Sequence, residues 1–252
     1  MLEIVRIPVL KDNYVWLLRS GQTVAVVDPA VEGPVVAVLD RAGWRLTHIL
    51  NTHHHNDHVG ANLALKTRYG CRIVGPLADR DRIPGIDLAL AEGDTVTLGD
   101  ATARVFDVPG HTRGHIAFWF ADEKALFCGD TLFALGCGRL FEGTPDQMWA
   151  SLLKFRALPD DTRVYCAHEY TQSNARFAVT ADPDNTSLAA RAGEIDAARA
   201  KGDATVPSLL GVEKTTNPFL RADDPALAAT YGLKGRDAAV VFAAIRSAKD
   251  RF

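Results

Sequence analysis

Four histidines and one aspartate lie within residues 52–58 of this 252-residue chain. Imidazole and carboxylate groups suit zinc, iron or manganese better than calcium or magnesium. In an extended chain, residues i and i+2 point the same way, so His53 and His55 can bind one metal ion while His54 points elsewhere. Asp57 and His58 follow as the chain turns towards a helix, and we expect them to face a second ion a few Å away.

An expression tag or an unused surface run would also be rich in histidine. This segment is instead internal, includes a carboxylate, and lies between a predicted buried strand at 47–51 and a predicted helix at 59–69 that ends at Gly70. Loops on a rigid scaffold commonly carry functional groups. The segment therefore predicts a metal site, although alone it does not separate a structural site from a catalytic one.

Three further loops carry ligand types, each just after a predicted strand. Gly110 and Gly129 would allow tight backbone conformations beside them. The recurrence of His or Asp at strand ends predicts that these side chains converge. Tetrahedral zinc takes three or four ligands, so seven candidates fit two ions with a bridging carboxylate and a bridging water. The candidates are His53, His55, Asp57, His58, His111, Asp130 and His168.

The elements that must position these ligands indicate an α/β protein. Glu32-Gly33-Pro34 is predicted to open a helix that runs to about Ala42, with Pro34 at its first helical position. Thr144 and Gln147 form a predicted capping box. The apolar stripe that follows in this second helix, at 148, 152 and 155, predicts core packing. Predicted strands lie at 2–9, 14–19, 23–28, 47–51, 72–75, 95–98, 102–108, 116–120, 124–128 and 163–167.

Beyond residue 170 the pattern changes, because only helical segments are predicted, at 172–179, 186–200, 225–231 and 236–249. We therefore predict an α/β domain over residues 1–170 and a small helical domain over 171–252. By itself, the helical segment is explained equally well as a stabilising addition or as part of a site.

Composition limits the function further. The net charge of −3 gives no sign of a nucleic-acid-binding surface, and no apolar run approaches the ~20 residues of a membrane span. The chain begins with no recognisable signal peptide, so we expect a cytoplasmic protein. The scattered cysteines, which form no CxxC pair, are expected to be small buried side chains in a reducing compartment; they are Cys71, Cys128, Cys137 and Cys166.

The ordered pattern His53-x-His55-x-Asp57-His58, followed by a histidine, an aspartate and a histidine, resembles the metallo-β-lactamase superfamily. The resemblance implies an αββα sandwich with a dinuclear metal site at one edge of its two sheets, here followed by the small helical domain. It also implies the division of the ligands. One ion is held by His53, His55 and His111, the other by Asp57, His58 and His168, and Asp130 bridges them.

A narrower resemblance covers the whole chain. Residues 136–144, 168–171 and 217–219, together with the C-terminal helix, are similar to the glyoxalase II (hydroxyacylglutathione hydrolase) family, in which these segments approach glutathione. Phe141 stands where the family often has tyrosine, which implies one lost hydroxyl contact. The substrate-binding residues implied by the resemblance are Arg139, Phe141, Tyr170, Arg246 and Lys249.

The resemblance predicts hydrolysis of S-D-lactoylglutathione, or a related S-2-hydroxyacylglutathione, to a 2-hydroxy acid and glutathione. Two close cations lower the pKa of a bridging water and stabilise the oxyanion formed on attack. Asp57 and His58 are the predicted catalytic residues, through the second ion. We expect two divalent ions per chain, zinc first with iron or manganese as alternatives, and a monomer whose partner is the small-molecule thioester.

Other functions fit part of the pattern. A persulfide dioxygenase of the same fold would use one iron, whereas the complete ligand set favours two metals. A metal-stabilised binding module would have no open coordination position. Lactamase and phosphodiester activities are possible on the fold, but the glutathione-site segments disfavour them. His54 and His115 are left as residues that pack near the ligands or hydrogen-bond to them.

Overall fold

The computed structural model describes residues 1–252, which form two compact units. The first comprises Met1–Asp107 with Arg113–Gly129, and the second comprises Val108–Thr112 with Asp130–Phe252. Helices and strands occur in both units, and the predicted α/β class is confirmed. The boundary predicted after residue 170 follows a change of sequence pattern and stays a prediction.

A six-stranded sheet organises the first unit, with its strands in chain order. The first three strands are antiparallel, and the next three add in parallel. Parallel strands end at the same edge of the sheet, so the loop after each one can contribute to a site there. The strands are β1 (Glu3–Val9), β2 (Asn13–Ser20), β3 (Thr23–Val27), β4 (His48–Leu50), β5 (Arg72–Pro76) and β6 (Leu88–Leu90).

Helices α1 (Glu32–Ala42), α2 (Asn56–Val59) and α3 (Asn62–Tyr69) belong to the same unit. Leu39 of α1 and Leu65 of α3 are fully buried in one apolar cluster with Ile49 of β4. This cluster explains why the short strand β4 is stable, since burial of large apolar side chains dominates folding energetics. The strand in turn fixes the start of the histidine-rich segment.

Two details of these helices differ from prediction. Pro34 is the third residue of α1 rather than the first, which is tolerated because first-turn N–H groups have no intrahelical partner. The helix predicted at 59–69 is divided near Gly60, where an added Cβ would lie 2.5 Å from the Ala30 carbonyl oxygen. The Ala61 N–H donates to the Pro29 carbonyl at 2.9 Å, so tertiary contacts interrupt the helix.

The first unit also contains four strands that pair antiparallel with their sequence neighbours. Two of them, which end at residues 107 and 129, therefore run parallel to each other, and the loops that follow both leave from the same edge. A backbone hydrogen bond from the Ile116 N–H to the Thr52 carbonyl, 2.9 Å long, joins this part of the unit to the histidine-rich segment. The four strands are β7 (Thr95–Leu98), β8 (Ala101–Asp107), β9 (Ile116–Phe120) and β10 (Ala125–Gly129).

The second unit is mainly helical, and α4 (Pro145–Arg156) begins at the predicted capping box, with both hydrogen bonds formed. Its stripe of Met148, Leu152 and Phe155 is fully buried, so the predicted core packing is confirmed. The other elements are β11 (Leu132–Phe133), β12 (Gly136–Cys137), β13 (Arg163–Cys166), α5 (Thr171–Ala181), α6 (Thr186–Ala200), β14 (Ser208–Leu209), α7 (Leu210–Thr216), α8 (Pro225–Thr230) and α9 (Ala238–Arg251).

The expectation that strands stop at residue 170 is wrong, because β14 pairs antiparallel with β13. Helix α7 was also not predicted. It includes Gly211 and several β-branched residues, which have low helix propensity. Leu210 and Thr216 are buried, and the buried Glu213 is paired with Arg191, so tertiary contacts outweigh local preference here.

Two expectations drawn from composition can be compared with the structure. All four cysteines are buried and none forms a disulfide, as predicted. None of the helices combines the length with the apolar character that crossing a membrane requires.

Candidate metal centre and anion-binding region

Asn51 follows β4 and extends the parallel pairing through a hydrogen bond from its N–H to the Val74 carbonyl at 2.8 Å, and the histidine-rich segment comes next. Within this segment, His53 Nε2 and His55 Nδ1 lie 3.1 Å apart. Two imidazole nitrogens at this distance can share a proton or bind one cation. The i and i+2 pairing expected from extended chain geometry is thus present in the structure.

His54 points to a different set of partners. Its Nε2 lies 3.1 Å from the Arg82 guanidinium, and its Nδ1 lies 3.2 Å from an Asp79 carboxylate oxygen. Arginine can only donate, so His54 Nε2 accepts and Nδ1 carries the proton given to Asp79. The buried Asp79 leaves no room for a side chain at Gly114, where a Cβ would lie 2.3 Å from its carboxyl carbon. His54 therefore anchors the segment.

Asp28 directly follows β3 and hydrogen-bonds to the first residue of the histidine-rich segment. It was not among the candidate site residues predicted from the sequence. Its carboxylate accepts hydrogen bonds from the Thr52 N–H at 2.8 Å and the Thr52 hydroxyl at 2.7 Å. The same carboxylate lies 3.1 Å from His58 Nδ1. Asp28 is an aspartate at the end of a buried strand, which is the same pattern that predicted the other site residues. This pattern would have identified Asp28 as a site candidate.

The contact with Asp28 determines how His58 faces the site. When Nδ1 donates to this carboxylate, the neutral ring presents the lone pair of Nε2 on its other side. That nitrogen lies 3.5 Å from Asp57 Oδ2. Two acceptor atoms that face each other require a cation between them, either a proton or a metal ion.

Asn13, at the start of β2, is a second residue that the sequence analysis missed. Its side-chain amide donates to Asp57 Oδ2 at 3.0 Å, and the residue is buried. A hydrogen bond of this kind fixes the orientation of a carboxylate. Its only sequence signal is a polar side chain at the beginning of a buried strand, which is too common to be specific.

His115 packs beside the segment, with its ring stacked on that of His53 at a centroid distance of 4.6 Å. Gly129 has a φ of +48°, and a Cβ there would lie 2.3 Å from the Thr52 hydroxyl oxygen and 2.9 Å from His115 Nε2. Only glycine fits this close approach. Within the first unit, His53, His55, Asp57 and His58 are thus brought together around the end of β4.

The second unit holds the other three candidates. Asp130 lies between two histidines, with Oδ2 3.4 Å from His111 Nε2 and Oδ1 3.4 Å from His168 Nε2. His111 Nδ1 lies 2.9 Å from the carbonyl of Arg139, so it donates there and directs the Nε2 lone pair at Asp130. All three ligand candidates are nearly inaccessible to solvent. A carboxylate with an imidazole at each oxygen is suited to bridge two cations.

These donor sets fit divalent metal ions of the zinc, iron and manganese group. Buried imidazole lone pairs facing carboxylates at 3.4–3.5 Å would be unfavourable without positive charge between them. Asp28 also lies within ligand distance of His53 and His58. Both of its oxygens already accept hydrogen bonds, so its position suits orientation of a ligand rather than ligation.

The predicted substrate-binding residues all lie in the second unit. Arg139 and Phe141 are exposed, and the Phe141 ring is 5.2 Å from the His111 ring. Tyr170 stacks on His168 with a centroid distance of 4.6 Å and an interplanar angle of 3°. Phe141 therefore contacts one candidate ligand, and Tyr170 contacts another.

Arg246 and Lys249 lie on α9. Arg246 is 5% exposed, and its guanidinium donates to the Cys137 carbonyl at 2.9 Å and to Asp250 at 2.9 Å. Burial, together with the positive charges of Arg246, Arg139 and Arg176, lowers the pKa of Lys249 to about 8. A cationic region that depresses the pKa of its own lysine favours an anionic ligand, although Asp250 offsets part of the charge.

Known proteins resemble the chain along its whole length. A family model described as the metallo-beta-lactamase superfamily matches residues 10–168, and one described as the hydroxyacylglutathione hydrolase C-terminus matches residues 169–252. A relative from Methylococcus capsulatus named hydroxyacylglutathione hydrolase is 62% identical over 100% of this chain and 99% of its own length.

The chain belongs to the hydroxyacylglutathione hydrolase family. A Rhodospirillum rubrum member of this family is 55% identical, again over 100% of this chain and 99% of its own length. The structure titled TTHA1623 in a di-iron-bound form matches with a TM-score of 0.61 and 27% identity, covering 86% of this chain and 100% of that one. The predicted family and metallo-β-lactamase fold are both confirmed.

Proposed function

We propose that this hydroxyacylglutathione hydrolase family member hydrolyses S-D-lactoylglutathione to D-lactate and glutathione. The observation that carries the proposal is 62% identity to a hydroxyacylglutathione hydrolase over the full chain. In the reaction, the thioester C–S bond breaks and a C–O bond to water's oxygen forms. The products are a carboxylate and a thiol, with one proton released.

Divalent metal binding is supported by the family and by the His and Asp donor groups. We propose two ions per chain, zinc first and iron or manganese as alternatives. The family resemblance assigns His53, His55 and His111 to one ion, which leaves Asp57, His58 and His168 for the other, with Asp130 shared. The similar structure of TTHA1623 is described as di-iron-bound, which is consistent with two ions per chain and with iron as an alternative to zinc.

When bound, such ions lower the pKa of coordinated water and polarise the thioester carbonyl. The chain's own contribution is orientation and charge. Asp28 accepts the proton of His58 Nδ1, so that Nε2 stays available, and Asn13 restrains the carboxylate of Asp57. Preorganised groups of this kind cost no rearrangement during the reaction. Thiolate is a good leaving group, which agrees with a site that offers no dedicated acid.

We propose that glutathione binds beside Arg139, Phe141 and Tyr170, with Lys249 attracting its carboxylates. Glutathione carries net negative charge near neutral pH, and the pKa of Lys249 is lowered by burial and then by the positive charges of Arg246, Arg139 and Arg176. Arg246 would act through its charge, since its own donors hold Cys137 and Asp250. The helical segment 171–252 would then be a substrate-binding domain. We further propose a monomer, which size-exclusion chromatography with light scattering tests.

The decisive experiment combines metal analysis with a thioester assay on the purified protein. The expected result is two divalent ions per chain and turnover of S-D-lactoylglutathione that is lost with chelator and restored with zinc. Turnover of a β-lactam or phosphodiester, without turnover of the thioester, would contradict the proposed substrate.

The persulfide dioxygenase alternative is tested in the same preparation. It predicts one iron per chain and oxygen uptake with glutathione persulfide. The relatives at 50–62% identity are named as hydrolases, which favours thioester hydrolysis over this alternative.

A further inference from the structure

β11 and β12 form a hairpin over residues 132–137, and all of its residues are buried. Asp130 lies two residues before it, and Arg139 lies two residues after it. The hairpin turns at Leu135, whose φ of +56° is unfavourable for a residue with a branched side chain. A conformation of this kind persists only where surrounding structure holds it.

Side chains from the helical segment provide that support. Asn217 Nδ2 donates to the carbonyls of Phe133 and Gly136, each at 3.1 Å, and the Leu135 N–H donates to Glu213 Oε2 at 2.9 Å. Asn217 Oδ1 accepts from the Phe219 N–H at 3.0 Å. This last bond fixes the amide so that its donors face the hairpin.

Two further helices hold the same hairpin. Asn174 of α5 donates to the Ala134 carbonyl at 3.1 Å, and Arg246 of α9 donates to the Cys137 carbonyl at 2.9 Å. Polar groups of all five residues from 133 to 137 are therefore bound by side chains from beyond residue 170. Such bonds are strong restraints in a buried setting, where an unpaired polar group is costly.

Glu213 is fully buried, and its charge is compensated locally. Arg191 of α6 forms an ion pair with Glu213 Oε1, and also donates to the Thr216 hydroxyl at 2.6 Å. Asn217 Nδ2 lies 3.1 Å from Glu213 Oε2. Helices α6 and α7 thus share one polar cluster, and loss of any member would leave buried partners unsatisfied.

The hairpin transmits this restraint to candidate metal ligands. At Gly138 a Cβ would lie 2.0 Å from the Asp130 carbonyl oxygen and 3.1 Å from His111 Nδ1, so the backbone after the hairpin packs directly against both residues. The next carbonyl, that of Arg139, accepts from His111 Nδ1 at 2.9 Å. A shift of the hairpin would therefore move the groups that orient Asp130 and His111.

We infer that the helical segment has a second role besides substrate binding: through Glu213 and Asn217 it positions the metal ligands Asp130 and His111. This inference rests on the proposed function, because it presumes that these ligands hold a catalytic ion. Glu213 and Asn217 are positioning residues, since they reach the ligands only through the hairpin. Asn217 is fully buried, which distinguishes this role from contact with glutathione.

The test compares Asn217→Ala with Lys214→Ala. Lys214 lies on α7, which ends just before Asn217. It donates to the Leu158 carbonyl at 2.7 Å and to Asp160 at 2.5 Å rather than to the hairpin. Zinc affinity is measured by competition with a chromophoric chelator, alongside thermal stability, kcat and KM. We expect Asn217→Ala to weaken zinc binding about 10-fold or more, as loss of groups that orient ligands does, with a matching fall in kcat. Lys214→Ala should lose stability while keeping zinc affinity within about 2-fold of wild type.

If Asn217→Ala does not fold, Asn174→Ala removes one hydrogen bond to the hairpin and should weaken zinc binding by a smaller factor. Wild-type zinc affinity in the folded variants would overturn the inference and leave the proposed function intact. So would a raised KM with unchanged zinc affinity, which is the signature of a substrate contact. A wild-type protein that bound no divalent metal would overturn both.

Discussion

The histidine-rich segment of the first unit and the hairpin of the second are supported in different ways. Residues 52–58 carry their own ligand side chains and are held by Asp28 and Asn13, which lie in or beside strands of the same sheet. The hairpin at 132–137 carries no ligand itself. It is held by residues between 174 and 246, and the backbone that follows it packs against the candidate ligands Asp130 and His111.

The difference shows where site information lies in the chain. In the first unit, the candidate ligands and the residues that orient them, Asp28 and Asn13, lie on strands of one sheet or on the loops that follow them. A short sequence motif is therefore enough to mark this part of the site. In the second unit, support comes from residues far along the sequence, and most of them, such as Asn174 and Asn217, are not of a metal-ligand type. Variants of the two regions should therefore fail in different ways.

The largest effect is expected for His55→Ala, which removes a ligand candidate from the first region. Loss of groups that merely orient ligands costs about 10- to 100-fold, so loss of a ligand should lower kcat/KM by more than about 100-fold. Metal analysis should show one ion fewer per chain. His48→Ala is the matched control, because His48 lies in β4 outside the ligand set, and it should keep both ions. Full occupancy in His55→Ala would contradict the ligand assignment.

Asp28→Asn tests whether the hydrogen bonds that orient the histidine-rich segment affect metal affinity as much as those that hold the hairpin. Asparagine tolerates the φ of +50° at this position, so the backbone should be retained. An amide has one acceptor oxygen, so it cannot replace both the bond from the Thr52 N–H at Oδ1 and the bonds from the Thr52 hydroxyl and His58 at Oδ2. Metal affinity should therefore fall about 10- to 100-fold. Asp40→Asn, an exposed change on α1, should leave affinity unchanged. Equal affinities in the two variants would remove Asp28 from the site.

Asn13→Ala sharpens the same comparison with a smaller change. The variant deletes the 3.0 Å hydrogen bond to Asp57 and should weaken metal binding about 10-fold. Asn185→Ala also deletes an asparagine hydrogen bond, the 3.0 Å cap to the Leu188 N–H. It should lower stability alone. Zinc titration of both proteins, at matched buffer and pH, decides whether the effect is specific to Asn13.

The smallest effect concerns pH and the second unit. Lys249 is cationic below its depressed pKa of about 8 and neutral above it, so its attraction for an anionic substrate is present at lower pH and lost as pH rises through 8. The charged groups around it are Arg139, Arg176, Arg246 and Asp250. KM should rise above pH 8 by up to about 5-fold, the range of one partly exposed ion pair.

Lys249→Arg serves as the control for this pH dependence, because arginine stays charged throughout the range. Its KM should remain flat from pH 7 to 9. An identical rise in the variant would assign the titration to another group, and a flat profile in both proteins would remove Lys249 from the substrate site.

Much of the fold was predictable because its signals are local. The capping box at Thr144, the ends of α6 and the positions of most strands follow from residue types at short spacing. Helix α7 and strand β14 were missed for the opposite reason. Their sequences have weak intrinsic preferences. Pairing with β13 holds β14, and burial of Leu210 together with the Glu213–Arg191 ion pair holds α7.

The sequence by itself determined which residues have ligand chemistry, because imidazole and carboxylate groups at strand ends are visible without coordinates. It also determined the family, through motifs spread over the whole chain. The tertiary structure decided how those groups are oriented. Asp28, Asn13, Glu213 and Asn217 are ordinary polar residues until folding places their donors and acceptors against a ligand or its supporting backbone. Hydrogen bonds depend on distance and angle, and only the folded chain fixes these between residues far apart in sequence.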